Sequence, residues 1–191
     1  MKKKIIMLAS GNGSNVENIC RYFQKSKDIE VSGVFTNNPN AYLIKRLIPF
    51  EIEVEVFGRI AFINGELLEK IKSKQPDLIV LAGFLWKIGL DWLELFPNNI
   101  INIHPALLPM YGGKGMYGHR VHQEVKKNHE KETGITIHYV NEAYDKGQII
   151  FQAKVNLNEK DTPDIIASKV KNLEYANFPK VIQSLLFNSS N

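Results

Sequence analysis

Short apolar runs and longer stretches with helical periodicity alternate through the first hundred residues. The runs of strand length fall at 4–9, 30–36, 51–57, 77–82 and 100–104, and helices are expected to fill the gaps between them. Val16, Ile19, Cys20 and Phe23 share one face of the first helix, with Ser14 or Asn15 positioned to cap it. A second amphipathic set, Leu67, Leu68 and Ile71, stops before Pro76. Strands that read as continuous apolar runs need both faces covered, so the pattern predicts an α/β fold: a Rossmann-like, open, mostly parallel sheet with helices on both faces.

The pattern changes after residue 104. A glycine-rich loop and a short helix lead to two segments, 134–140 and 148–155, in which apolar and polar residues alternate, and a polar connection at 141–147 joins them. Alternation of period two predicts a hairpin, hence a C-terminal mixed-sheet extension. Asp161-Thr162-Pro163 is a helix start signal, with Thr162 or Asp161 as cap and Pro163 in the first turn, and the last helix is expected to run towards Leu186 before a fraying tail at 188–191. No repeat or linker-like stretch divides the chain. It reads as a single domain, 1–191, with a βα half at 1–104 and a half of loop, late strands and final helix at 105–191.

A chain of 191 residues, 44% hydrophobic and 23% charged, can bury roughly 70% of its unfolded surface, enough for a core without disulfides. The lone Cys20 sits in the apolar helical set and reads as a packing residue, which suits a reducing, cytoplasmic setting. A net charge of +4 favours anionic ligands but is too diffuse to indicate nucleic acid. Lys2, Lys3 and Lys4 precede an apolar run too short for a signal sequence or a membrane span, so neither a targeting segment nor a membrane partner is expected.

Three groups of residues carry candidate chemistry. The first βα turn contains Gly11, Asn12, Gly13, Ser14 and Asn15, where glycines allow close backbone approach and a helix start offers unpaired N–H groups to an anion. Val16 stands where a dinucleotide fingerprint has its third small residue, no Lys-Ser/Thr pair follows, and Thr36-Asn37-Asn38 replaces the acidic residue expected for a ribose diol, so a phosphate monoester fits better than a dinucleotide. Taken alone, the turn also reads as an ordinary tight βα connection. In the run 100–105, strand alternation puts Asn102 and His104 on one face, and Pro105 ends the strand at the carboxyl edge where open α/β sheets bind ligands. An adjacent carboxamide and imidazole suit a developing oxyanion, although a structural Asn/His pair has the same spacing. Asp145 reads as a turn residue unless folding brings it to His104, where its charge would favour the imidazolium. His119 and His122 have helical spacing, with His104 and Glu124 as further donors, but no recognised zinc spacing is present and no metal is expected.

Ser10-Gly11-Asn12-Gly13-Ser14-Asn15, Leu81-Ala82-Gly83-Phe84, the run from Asn102 to Pro109, and Asp145 together resemble the phosphoribosylglycinamide formyltransferases over nearly the whole chain. Gln152-Ala153-Lys154-Val155 and the segment 174–179 extend the likeness. The resemblance implies the formyltransferase fold and transfer of a formyl group from 10-formyltetrahydrofolate, as co-substrate, to the amine of glycinamide ribonucleotide in purine synthesis. It further implies catalysis by Asn102, His104 and Asp145, with Asp145 keeping His104 charged, and phosphate on Gly11 to Asn15. Glu174 and Lys169 would meet the ribose and glycinamide end. The folate would lie against Leu85, Trp86, Lys87 and Ile88, with Asn102, Asn141 and Glu142 beside it and Arg59 near its glutamyl tail.

The chain departs from the family pattern in having Leu85-Trp86-Lys87-Ile88 where Met-Arg-Ile-Leu is frequent, a longer loop at 111–119, and tyrosines at 117 and 175 where histidine is common. No metal and no covalent enzyme intermediate are implied, and the enzyme is expected as a monomer or homodimer with small-molecule partners only. Two other functions are compatible with the scaffold. A formyltetrahydrofolate deformylase would replace the amine by water and need no phosphate cradle; a non-catalytic nucleotide-binding module or dehydrogenase domain would need the dinucleotide fingerprint that is broken here.

Overall fold

Seven strands share one sheet in the computed structural model, which describes residues 1–188. Five are parallel: β1 (Lys3–Ala9), β2 (Ile29–Thr36), β3 (Val54–Val56), β4 (Leu78–Leu81) and β5 (Ile100–His104). β6 (Glu132–Tyr139) and β7 (Ile149–Asn156) continue past β5 as an antiparallel hairpin, giving the order β3-β2-β1-β4-β5-β6-β7. The helices are α1 (Ser14–Phe23), α2 (Tyr42–Leu47), α3 (Arg59–Ile63), α4 (Glu66–Ser73), α5 (Leu90–Leu95), α6 (His119–Lys127) and α7 (Pro163–Asn188).

Alternation along the strands divides the core into two layers. Ile5, Met7 and Ala9 of β1 pack with Val16 and Ile19 of α1, Val121 of α6, and Ile166, Phe178 and Ile182 of α7. Ile6 and Leu8 face the other way, onto Phe62, Leu68, Ile71 and Trp92 of α3, α4 and α5. Both sheet faces are therefore covered, which is why the central strands β1 and β4 read as apolar runs. Cys20 is 2% exposed, and burial pushes its thiol up to about 12, so it is a packing residue.

Three expectations are corrected in detail. The strand expected over 51–57 pairs only through Val54–Val56, because Ile48–Phe50 forms a 3-10 turn that Glu51 closes in left-handed conformation, φ 56°. Neither Ser14 nor Asn15 caps α1; Gly13 does, at φ 73°, where an added Cβ would lie within 2.9 Å of the Leu43 backbone. α7 begins at Pro163 with Thr162 Oγ1 accepting the Ile165 N–H at 3.3 Å, but it continues through Asn188; the remaining tail, 189–191, lies outside the described residues.

β1 is flanked by β2 and β4, so the chain leaves the carboxyl ends of these strands in opposite directions and opens a crevice there. Its floor is stitched by Ser10 N–H donating to Gly83 O at 3.1 Å and Leu85 N–H donating to Ser10 Oγ at 3.0 Å.

Candidate active site

The crevice opens into a cleft of about 990 Å³ lined by Gly11 to Asn15, Gly83 to Leu85, Asn102, His104, Asp145, the loop 113–118 and the α7 residues Lys171 and Glu174. At one end the α1 N-terminus faces the cleft, its first N–H groups available to an anion. Asn15 donates from Nδ2 to Glu174 Oε2 at 2.9 Å, tying the cradle to α7. Asn12 is held from outside by Arg46, which donates to its carbonyl and its side chain and pairs with Glu17.

At the other end the antiparallel register sets Asn102 opposite His138 and His104 opposite Thr136. Facing pairs in such a ladder project on one side, so four polar side chains meet above the sheet. His138 Nδ1 lies 2.8 Å from its neighbour's carbonyl, Tyr139 O, which assigns the proton to Nδ1 and leaves Nε2 as acceptor for Asn102 Nδ2 at 3.1 Å. One hydrogen of the Asn102 amide is thereby used for orientation and the other remains for a ligand. His104 is fixed in a similar way: Nε2 donates to Tyr111 O at 2.7 Å, leaving Nδ1 turned to Asp145 Oδ2 at 3.6 Å.

Asp145 arrives from the turn between β6 and β7 and sits between the two imidazoles, with Oδ1 3.7 Å from His138 Nε2. Gly113 N–H donates to its Oδ2 at 2.8 Å. Asp145 adopts φ 56°, which a short polar side chain tolerates. Two residues on, a Cβ at Gly147 would fall 1.6 Å from Tyr139 O, so only glycine lets the turn close onto the end of β6. Thr136 braces the 105–109 loop, accepting from Leu108 N–H at 2.9 Å and donating to Ala106 O at 2.7 Å.

Burial pushes Asp145 up, but His138, His104 and the Gly113 N–H together hold it below its ordinary value, so it is a carboxylate. For His104 burial dominates: it lowers the pKa, and Asp145 and the Tyr111 carbonyl only partly restore it. The expectation that Asp145 keeps His104 charged is therefore corrected. The resting imidazole is neutral, and the carboxylate beside it lowers the cost of charging it during reaction. Burial raises Glu174, against Asn15 and Lys171.

Asn102, His104 and Asp145 thus converge as expected, and Gly11 to Asn15 and Glu174 line the same cleft. Lys169 does not: it is paired to Asp161 at 2.5 Å and donates to Asn156 O, while Lys171 lines the cleft. Arg59, Leu85, Trp86 and Lys87 line a side groove of about 380 Å³ that shares Leu85 and Tyr144 with the cleft, and the Arg59 guanidinium stacks 5.1 Å above the Trp86 ring. Ile88, expected against the folate, is instead buried and lines neither cavity. Asn141 and Glu142 are exposed and line neither cavity; Asn141 shapes the turn through Ala143 N–H and Lys146 O. His138 was absent from the sequence-based set, although Thr136-Ile137-His138 repeats the polar-apolar-polar order of Asn102-Ile103-His104. Among the described residues no group of three or more His, Cys, Asp or Glu is placed to hold a metal ion, and no helix is long and apolar enough to cross a membrane.

The sequence model described as formyl transferase matches residues 3–182. The chain is 35% identical over 190 residues to the phosphoribosylglycinamide formyltransferase of Bacillus subtilis, covering 96% of this chain and 95% of the relative. It is 34% identical over 194 residues to the chloroplastic phosphoribosylglycinamide formyltransferase of Arabidopsis thaliana, covering 96% of this chain but spanning only 65% of that relative's length. Among solved structures, the phosphoribosylglycinamide formyltransferase of Bacillus halodurans superposes with a TM-score of 0.87 at 32% identity, over 99% of this chain and 98% of the other.

Proposed function

The chain belongs to the formyl transferase family, and on that premise we propose that it transfers the formyl group of 10-formyltetrahydrofolate to the amine of glycinamide ribonucleotide, a step of purine biosynthesis. The observation that carries this reading is the meeting of Asn102, His104 and Asp145 in one cleft whose far end is an anion cradle. In this reading the sugar phosphate lies at Gly11 to Asn15 and Glu174 and its amine at Asn102 and His104, all of which line the one cleft of about 990 Å³. The aromatic side groove, with Arg59 and Lys87 at its rim, suits the flat ring system and anionic tail of the folate.

The neutral amine attacks the formyl carbon, and the carbonyl oxygen gains charge. Asn102 meets that oxygen with its free N–H, held in direction by His138. As the new C–N bond forms, the amine becomes acidic and His104 takes its proton on Nδ1, because Nε2 is committed to Tyr111 O. The imidazolium then faces both the oxyanion and the Asp145 carboxylate. Collapse breaks the bond between the formyl carbon and the folate nitrogen, and the proton passes from His104 to that nitrogen as it leaves. Charge appears on His104 only while the oxyanion exists, so the pair favours the transition state over the ground state.

Turnover of formyl folate by the purified protein, measured with and without glycinamide ribonucleotide, tests the reading. Release of tetrahydrofolate is expected only with the amine present. Equal release without it would make the protein a hydrolase, and no release in either case would leave a binding module.

A further inference from the structure

His119 and His122 on α6 take no part in the chemistry above. His122 is 6% exposed, yet it forms part of the wall of the cleft that holds Asn15, His104 and Glu174. Its ring meets that of His119 edge-on, centroids 6.5 Å apart. Nδ1 is buried without a partner, a state that buried polar atoms rarely keep unless something outside the chain completes them. Burial, followed by the proximity of His119 and His104, holds the His122 pKa down to about 4, so the ring is neutral at neutral pH and carries one N–H and one lone pair. No hydrogen bond anchors Nδ1, so the ring is free to turn about Cβ–Cγ in the cleft wall without breaking one there.

A neutral ring in this place suits a particular kind of group. A phosphate calls for cations or oriented N–H groups, which the α1 end of the cleft offers; a lone pair calls for an uncharged donor. Between a ribose held near Glu174 and an amine held near His104, glycinamide ribonucleotide carries one such donor, the amide N–H that joins the glycyl arm to the sugar. We propose that His122 is a binding residue for the formyl acceptor and takes that amide N–H on its imidazole lone pair. The inference rests on the glycinamide ribonucleotide reading. It assigns His122 the task of setting the direction of the glycyl arm, and so the approach of the amine to the formyl carbon.

Calorimetric titration of the intact protein with two ligands, glycinamide ribonucleotide and ribose 5-phosphate, separates the amide contact from everything else. The two share phosphate and sugar, and only the first has the amide. His122→Phe keeps a ring but no acceptor and is expected to weaken glycinamide ribonucleotide about tenfold, the scale of one hydrogen bond, while ribose 5-phosphate changes less than about twofold. His122→Asn, whose side-chain carbonyl reaches the region of Nδ1, is expected to recover affinity to within about threefold of the wild type. Equal weakening of both ligands in both variants, or unchanged affinity for glycinamide ribonucleotide in His122→Phe, overturns the inference. Failure of the wild-type chain to bind glycinamide ribonucleotide at all overturns the functional reading instead, so the two failures are distinguishable.

Discussion

The substitution Asp145→Asn removes one charge and leaves the side-chain shape. The carboxamide oxygen of the variant can still accept the Gly113 N–H that now binds Oδ2 at 2.8 Å, so the turn is expected to hold. What changes is the cost of charging His104. At 3.6 Å and an effective dielectric near 20, the attraction between carboxylate and imidazolium is about 4–5 kcal/mol before relaxation of the surroundings. A close opposite charge generally moves a pKa by about 1–3 units, or roughly 1.4–4 kcal/mol. Burial already lowers His104, and without Asp145 only the Tyr111 carbonyl opposes it. If the imidazolium is charged only in the transition state, this energy appears in kcat as a loss of about 10-fold to 10³-fold. Steady-state kinetics with both substrates varied should show that loss with each KM within about threefold of the wild type. A kcat within about threefold of the wild type would refute the role given to the carboxylate, and an unchanged kcat with a raised KM for the acceptor would make Asp145 a binding group.

Asn102→Ala is expected to lower kcat by about 10²-fold to 10³-fold, the scale of one lost oxyanion donor, and normal turnover in a purified assay would remove Asn102 from the mechanism. Stability should also depend on pH through His122. Its folded pKa, about 4, lies below the value near 6.5 for an unfolded histidine. The unfolded chain therefore takes up the proton first, so this contribution is complete above about pH 6.5 and is lost as the pH falls towards 4. Between pH 7 and pH 5 that amounts to about 1–2 kcal/mol after allowance for screening. Burial of Glu174 raises its pKa and acts in the opposite direction, so the quantity to measure is the difference between wild type and His122→Phe in urea midpoints at the two pH values. Identical pH dependence in the two proteins would contradict the burial of a neutral His122.

The centre of the parallel half was legible because β1 and β4 are buried along nearly their whole length and announce themselves as apolar runs. The 51–57 segment misled for a different reason: Ile52, Val54 and Val56 alternate like a strand, but pairing depends on where the preceding turn releases the chain, and Glu51 releases it late. Within the site, the glycine turn and the Asn102/His104 pair were visible because each is local, whereas His138 depends on register. Its place opposite Asn102 follows from the length of the connection between β5 and β6 and the course of α6, neither of which spacing alone determines.

Lys169 is a different case, since local geometry already argued against it. From Glu174 it lies five residues back, roughly 140° around α7, whereas Lys171 lies three residues back, roughly 60° away and on the same face. The cleft takes Glu174 and Lys171 together, and Asp161 takes Lys169 on the other side. Helical phase therefore selects the cation at the sugar end. Asp145 has no comparable local signature, because its approach to His104 requires the β6–β7 hairpin to add to the sheet edge at β5. The antiparallel extension is thus the feature that converts a phosphate-binding crevice into a site with an acid beside its imidazole.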